Sequence, residues 1–375
     1  MKDSFQILDE IRRSVGKPHT SGLSRDILSR FSSDINLQTA LEMASEVFNS
    51  LDEDQREILN KAEEVNLIEL QEGFLNFYNT NSISPYVPLV AKGPWIVSAY
   101  GSVIYDTGGY GMLGQGHNPE FATRCLSRSQ VMANIMTPSL SQPRFVAALR
   151  KEIGRNRVGG CPYGKFISMN SGSEAMSVAS RISDLHAGKL ISALEINERY
   201  TKVTKIVAMR GAFHGRTGRP ARASSSSFKA YKKLASFRNY EGTLLVEPNN
   251  IEDLERTFTN AKEKNYHIEF IVLEPVMGEG NPGLAITPEF YAAARRLTKE
   301  CGSLLIIDSI QSGLRTRGEL SIVDYPGFET LDPLDMESYS KAINAGQFPV
   351  SVLAISKELA DIYEPGVYGN TMTAN

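Results

Sequence analysis

From Lys165 onward, short apolar runs alternate with segments of helical periodicity, and this alternation constrains the fold more than any other feature. Strands are expected at 166–169, 205–209, 243–247, 270–273 and 304–307, with helices at 174–186, 251–261 and 290–301. A short strand near Ser338-Tyr339 and one at 350–355 close the series. Runs without polar alternation are buried on both faces, and helical crossovers join parallel strands. The expected fold is therefore α/β, a mostly parallel sheet of the seven-stranded type sandwiched by helices. Ligands of such sheets bind at the carboxyl ends of the strands. Two of the apolar runs end there on acids, Leu304-Leu305-Ile306-Ile307 on Asp308 and Phe270-Ile271-Val272-Leu273 on Glu274. A buried carboxylate is costly unless a cation or donors meet it, so Asp308 calls for a partner.

The first 75 residues differ in texture. Gly and Pro are sparse, and Leu37, Leu41, Ala44, Val47 and Phe48 recur at helical spacing. Ser50 and Glu53 form a capping-box pattern ahead of a further helix. Two short strands around a turn are expected at 93–96 and 100–106. With 375 residues the chain is long for one domain. The expected division is a helical N-terminal extension over 1–85, the first segment of a small domain with a linker over 86–160, and a large domain over 161–375.

Charge and cysteine content exclude several classes. A net charge of −3 lacks the basic excess of a general nucleic-acid surface. Cys125, Cys161 and Cys301 are scattered and make neither a metal spacing nor a disulfide framework, which fits a cytoplasmic protein. The start, Met1-Lys2-Asp3-Ser4-Phe5, has no apolar signal region, and no run approaches the roughly 20 apolar residues of a membrane span. Neither nucleic acid nor membrane is an expected partner.

Two glycine-rich stretches imitate nucleotide motifs. Gly109-x-Gly111-x-x-Gly114 has the dinucleotide-binding letters but runs into Gln115-Gly116-His117-Asn118-Pro119, where a helix should open. Gly159-Gly160-Cys161-Pro162-Tyr163-Gly164-Lys165 has P-loop spacing, but Phe166 replaces the magnesium-binding hydroxyl.

Four other stretches converge on one chemistry. Asn170-Ser171-Gly172-Ser173-Glu174 opens a helix after a strand, an anion site suited to phosphate. Phe213 and His214 stand just past a strand end, where an aromatic face can lie on a planar ring. Asp308 suits a protonated ring nitrogen. Lys341, between a short strand and a Gly/Pro turn, becomes nucleophilic if desolvated beside a cation. Taken singly, each also reads as ordinary structure: a capped turn, a core phenylalanine, a helix-capping acid, a solvated lysine. Together they describe the phosphate, ring, pyridinium and aldehyde of pyridoxal 5'-phosphate (PLP).

At this point the sequence resembles the class III (ornithine, acetylornithine and 4-aminobutyrate) aminotransferases of PLP fold type I, from about Gly93 to Asn375. The resemblance rests on Asn170-Ser171-Gly172-Ser173-Glu174-Ala175, Phe213-His214-Gly215-Arg216-Thr217, Glu274-Pro275-Val276-Met277-Gly278-Glu279, Asp308-Ser309-Ile310-Gln311-Ser312-Gly313, Lys341-Ala342-Ile343 and Gly369-Asn370-Thr371. It implies amino transfer from an amine or ω-amino acid to a keto acid through a Schiff base on Lys341, which also acts as general acid/base. Asp308 is expected to pair with the pyridinium; Ser171, Gly172 and Ser173 to hold the phosphate; Phe213 to stack on the ring. His214 and Glu274 are expected in the cofactor site, Gln311 near the ring hydroxyl, and Thr371 at the phosphate of the other subunit of a homodimer. Alternatives on the same fold are mutase, decarboxylase or epimerase chemistry, or a truncated, non-catalytic PLP-binding relative.

The sequence departs from the family pattern in three places. Ser309 stands where the family keeps a glutamate beside the aspartate, and Met277 where it keeps a glutamine. The pattern would also continue past Asn375 into a C-terminal small domain on the order of 100 residues, expected to be absent here. Arg144, Arg315 and Arg317 are candidate clamps for a substrate carboxylate.

Overall fold

The computed structural model describes residues 5–108, 111–126, 135–198, 203–366, 371 and 373. The chain divides into two compact units, Met1–Ser129 and Gln130–Asn375. Gly109 and Tyr110 of the dinucleotide-like stretch, and Gly369 and Asn370 of the last family motif, lie outside the described residues.

In the first unit, α1 (Gln6–Ser14), α2 (Arg25–Arg30), α3 (Ile35–Ser50), α4 (Glu53–Leu59) and α5 (Glu63–Glu69) precede an antiparallel sheet of β1 (Pro88–Lys92), β2 (Trp95–Ser98) and β3 (Val103–Tyr105); α6 (Glu120–Leu126) follows. Helices and sheet share one core: Ile11, Leu37, Leu41 and Phe48 pack with Val90, Trp95, Val97 and Tyr100. Buried Glu63 ties them further, its carboxylate accepting the amides of His19, Thr20 and Val87. The division expected at 85 thus falls inside a single packed unit. The capping box is present two residues on from the expected pair. Asp52 accepts from Gln55 N at 2.8 Å, and Gln55 Oε1 accepts from Asp52 N at 3.1 Å. Ser50 instead ends α3 and bonds back to Val47 O.

The second unit runs α7 (Ser141–Glu152), β4 (Tyr163–Met169), α8 (Gly172–Glu198), β5 (Val203–Met209), α9 (Gly218–Ala223), α10 (Phe228–Tyr231), β6 (Thr243–Val246), α11 (Ile251–Glu263), β7 (Tyr266–Leu273), α12 (Pro288–Cys301), β8 (Leu304–Asp308), β9 (Met336–Tyr339), β10 (Ser351–Ser356) and α13 (Lys357–Ile362). Seven strands form one sheet in the order β4-β10-β9-β8-β7-β5-β6. Strand β10 is antiparallel to both neighbours, and the other pairs are parallel. Side-chain alternation splits the apolar strands between two cores. Val207, Ile271 and Leu305 meet Leu254 and Phe258 of α11 and Phe290 and Leu297 of α12. Ile206, Val272 and Ile306 meet Met176, Ala179 and Ile182 of α8. This is the α/β sandwich expected from the sequence.

Local signals set the element ends. Helix α12 starts on Thr287, whose hydroxyl accepts Phe290 N, has Pro288 in its first turn, and ends on Gly302 at φ 68°. The P-loop imitation fails structurally: Lys165 lies inside β4, where a phosphate loop would require a helix start.

Candidate active site

Because β4, β5, β7, β8 and β9 run parallel, their carboxyl ends share one edge of the sheet. The strand-end segments meet there. Asp308, 5% exposed, closes β8. Its Oδ2 lies 2.9 Å from Nδ1 of His214, and its Oδ1 accepts Ile310 N at 3.1 Å and Ser338 Oγ at 3.3 Å. The imidazole is buried; opposite an acceptor-only carboxylate Nδ1 is the donor, and among the described residues Nε2 has no hydrogen-bond partner. His214 is in turn held by its backbone N–H on Ser224 Oγ at 2.9 Å.

Glu274, at the end of β7, is also buried. Its two oxygens accept Phe213 N at 2.9 Å and Gly278 N at 3.1 Å. Burial nonetheless raises its pKa to about 7; the neighbouring Asp308 charge adds to the rise, while His214 and the two amides oppose it.

Helix α8 opens at the end of β4. Glu174 Oε2 accepts the Asn170 and Ser171 amides at 2.9 and 3.0 Å, and Ser171 Oγ accepts Glu174 N. Gly172 and Ser173 occupy the first turn, where helix geometry offers their amides no carbonyl. Their surroundings are close. A Cβ on Gly172 would fall 2.8 Å from Ile310 Cδ1, and one on Gly215 would fall 2.9 Å from Ser173 Oγ. Ser351, opening β10, donates to Ser171 O at 2.7 Å and fastens this turn to the sheet.

Lys341 follows β9 at φ 45°, a left-handed conformation that a side chain adopts only at a cost. The positive-φ residues other than glycine and asparagine among those described are Leu314, Lys341 and Ala345, all in segments following β8 and β9. Burial lowers the Lys341 pKa and the Arg315 charge lowers it further, against Asp308, Glu279 and Glu274. A fraction of its amine is thereby freed for nucleophilic work. Phe213 is half-buried and carries the Arg216 guanidinium 5.2 Å from its ring centroid. Gln311 packs its amide against Gly278, where a Cβ would stand 2.3 Å from Oε1. Met277 is buried in the core beneath. Arg144 is exposed on α7, and Arg317 stacks on Tyr325. Thr371 is exposed.

These residues suit PLP on structural grounds. A buried carboxylate is already set to receive a proton donor, an imidazole nitrogen beside it is unpartnered among the described residues, a glycine-lined helix start lies near, and a half-buried amine has a lowered pKa. The structure also brings in residues that sequence reasoning passed over: Ser338 on Asp308, Ser224 behind His214, and Ile310 against Gly172.

Comparisons with known proteins agree. The family model for class-III aminotransferases matches residues 78–375. An ornithine aminotransferase of Staphylococcus carnosus is 27% identical over 298 residues, covering 78% of this chain and 67% of its own. Ornithine aminotransferase 2 of Staphylococcus aureus is 27% identical over 313 residues, 80% of this chain and 70% of its own. Among solved structures, the ornithine aminotransferase of Toxoplasma gondii superposes with a TM-score of 0.64 at 24% identity, over 82% of this chain and 67% of that one. A taurine:2-oxoglutarate aminotransferase of Bifidobacterium kashiwanohense, solved with PLP and glutamate, gives 0.63 at 15% identity, over 83% and 69%. The chain belongs to the class-III aminotransferases and is a PLP-dependent transaminase.

Proposed function

We propose that Lys341 holds the cofactor's aldehyde through Nζ, by a Schiff base, and moves the proton at the substrate carbon, with Asp308 as partner of the ring nitrogen. The observation that carries this is the half-buried Lys341, pKa lowered, within electrostatic reach of the buried Asp308. When bound, PLP supplies an electron sink that lets an amino group leave one carbon skeleton and join another. The protein's share is positional. Gly172 and Ser173 offer first-turn amides to the phosphate, with Ser171 capping the same turn. Phe213 offers a ring face, and Gln311 a polar amide near the ring hydroxyl. Glu274 fixes the Phe213 backbone, and His214 orients Asp308.

The donor is an amine or amino acid and the acceptor a keto acid. The ornithine aminotransferase relatives favour a donor with a terminal primary amine and a distant carboxylate, and of the candidate arginines we assign Arg315 to that carboxylate because its charge acts on Lys341. A homodimer, a cytoplasmic location and the cofactor-binding role of the second unit belong to the same proposal, Thr371 reaching the other subunit's phosphate. Titration of cofactor-free protein with PLP tests the placement. A visible absorption band resistant to dialysis is expected for the wild type and absent in Lys341→Ala; an equal band in both rejects Lys341. Gel filtration with light scattering tests the dimer.

A further inference from the structure

Among the buried acids outside the arrangement above, one stands next to it in the sheet. Glu337, on β9, has no exposed surface. Four donors converge on its carboxylate: Ser309 Oγ at 2.5 Å, Tyr163 OH at 2.6 Å, Ile322 N at 3.0 Å, and Ser321 Oγ. Its sequence neighbour Ser338 points to the other face and bonds Asp308.

The donors are not scattered. Ser309 begins the segment that leaves β8, and Ser321 and Ile322 end it. In between, the chain turns tightly, with Gly313 N on Ser309 O at 2.9 Å and Leu314 N on Glu319 O at 2.8 Å. One carboxylate therefore closes the base of a loop running from 309 to 322, and Tyr163 anchors it to β4. The loop carries Ile310 to Gly172, Gln311 to Gly278 and Arg315 to the neighbourhood of Lys341. Ser309, where the resembling family keeps an acid, here donates to an acid supplied by the adjacent strand.

We propose that Glu337 is a positioning residue of the active site: it staples both ends of the 309–322 loop and so sets how Ile310, Gln311 and Arg315 face the cofactor and the donor's carboxylate. Each carboxyl oxygen accepts two of these donors, Ser309 Oγ and Ile322 N on Oε1, Tyr163 OH and Ser321 Oγ on Oε2, so a glutamine amide sets an N–H against one of the two pairs. Glu337 acts through the loop and touches neither cofactor nor substrate.

This role rests on the cofactor placement proposed above, so the test has a part independent of it. Hydrogen exchange of cofactor-free protein is compared for wild type, Glu337→Gln, Ser309→Ala, Glu337→Ser and the exchange variant Ser309→Glu/Glu337→Ser. In Glu337→Gln the amides of 310–320 are expected to exchange roughly 10- to 100-fold faster, with the β7 and β8 amides unchanged. PLP affinity is expected to fall roughly tenfold or more, and KM for the amine donor to rise more than kcat falls. Ser309→Ala, which removes one donor and keeps the acid, is expected to show a smaller effect of the same kind and serves if the Glu337 variants fail to fold. The exchange variant returns a carboxylate to the same cavity from the other strand and is expected to recover loop protection and PLP affinity relative to Glu337→Ser. Uniformly faster exchange across the unit, unchanged loop protection, or no recovery in the exchange variant would overturn the proposal. Failure of the wild type to bind PLP would strike the cofactor placement and leave the exchange result standing.

Discussion

Replacing Glu274 with Gln should remove a defined pH dependence from the stability of the second unit. The carboxyl is buried and its pKa is raised from 4.5 to about 7, chiefly by burial. Between those two values the unfolded chain has released a proton that the folded protein keeps. The folded state then binds more protons, so stability falls as pH rises from 4.5 and levels off above 7. At 1.36 kcal/mol for each tenfold change in acidity, the contribution lost over this window is about 3 kcal/mol at most. Glutamine does not titrate. It costs something at every pH, because its amide can accept from only one of the Phe213 and Gly278 N–H groups and opposes the other. The useful quantity is the stability of wild type minus that of Glu274→Gln, in which buried Glu269, also raised to about 7, cancels. Urea unfolding of cofactor-free protein should be followed from pH 4.5 to 8 by far-UV circular dichroism. Fluorescence would follow the wrong part of the molecule, since the single tryptophan, Trp95, lies in the first unit. The difference should be largest at pH 4.5 and shrink toward pH 7. Parallel curves would refute the raised pKa, and a difference growing with pH would show that the two amides outweigh burial.

Three other substitutions separate structure from site. His214→Phe strips Oδ2 of Asp308 of its donor and should cost roughly 1.5–3 kcal/mol in urea unfolding, with weaker PLP binding by titration. Gly278→Ala should displace the flexible Gln311 amide rather than backbone, lowering PLP affinity with little change in melting temperature. Asp52→Ala, in the first unit, should cost about 1 kcal/mol through loss of the capping box and leave PLP affinity unchanged.

The sheet and its covering helices were legible because buried parallel strands write themselves as unbroken apolar runs; β8 ends on Asp308, and Glu274 follows the last residue of β7. Helical periodicity places α12 closely, whereas Ser50 stands in for Asp52 in the capping pattern, since a short polar side chain at a helix end reads alike whether it closes one helix or opens the next. The packing of 5–59 onto the three-stranded sheet is not legible, because the helical stretch shows its apolar stripe without showing what it covers. At the site, residue types announced the carboxylate, the amine and the helix start. Their partners were hidden. Alternation along β9 sends Ser338 and Glu337 to opposite faces, but which residues each meets is fixed only when β8 and β9 are placed in register. Nor can sequence alone show that Ser309 meets an acid 28 positions further along the chain.

Strand order carries a consequence for how the chain is made. Among the described residues β4 pairs only with β10, Tyr163–Met169 with Ser351–Ser356. On a ribosome, β4 emerges long before its partner exists. Its ladder groups must wait through the synthesis of β5 to β9, with α8 as the early neighbour able to cover one face. The phosphate-binding turn at the end of β4 is fastened by Ser351 and so shares the wait. Assembly of this sheet should be slow and dependent on a late insertion, with β4 the segment most open to chaperones or to pairing with another nascent copy.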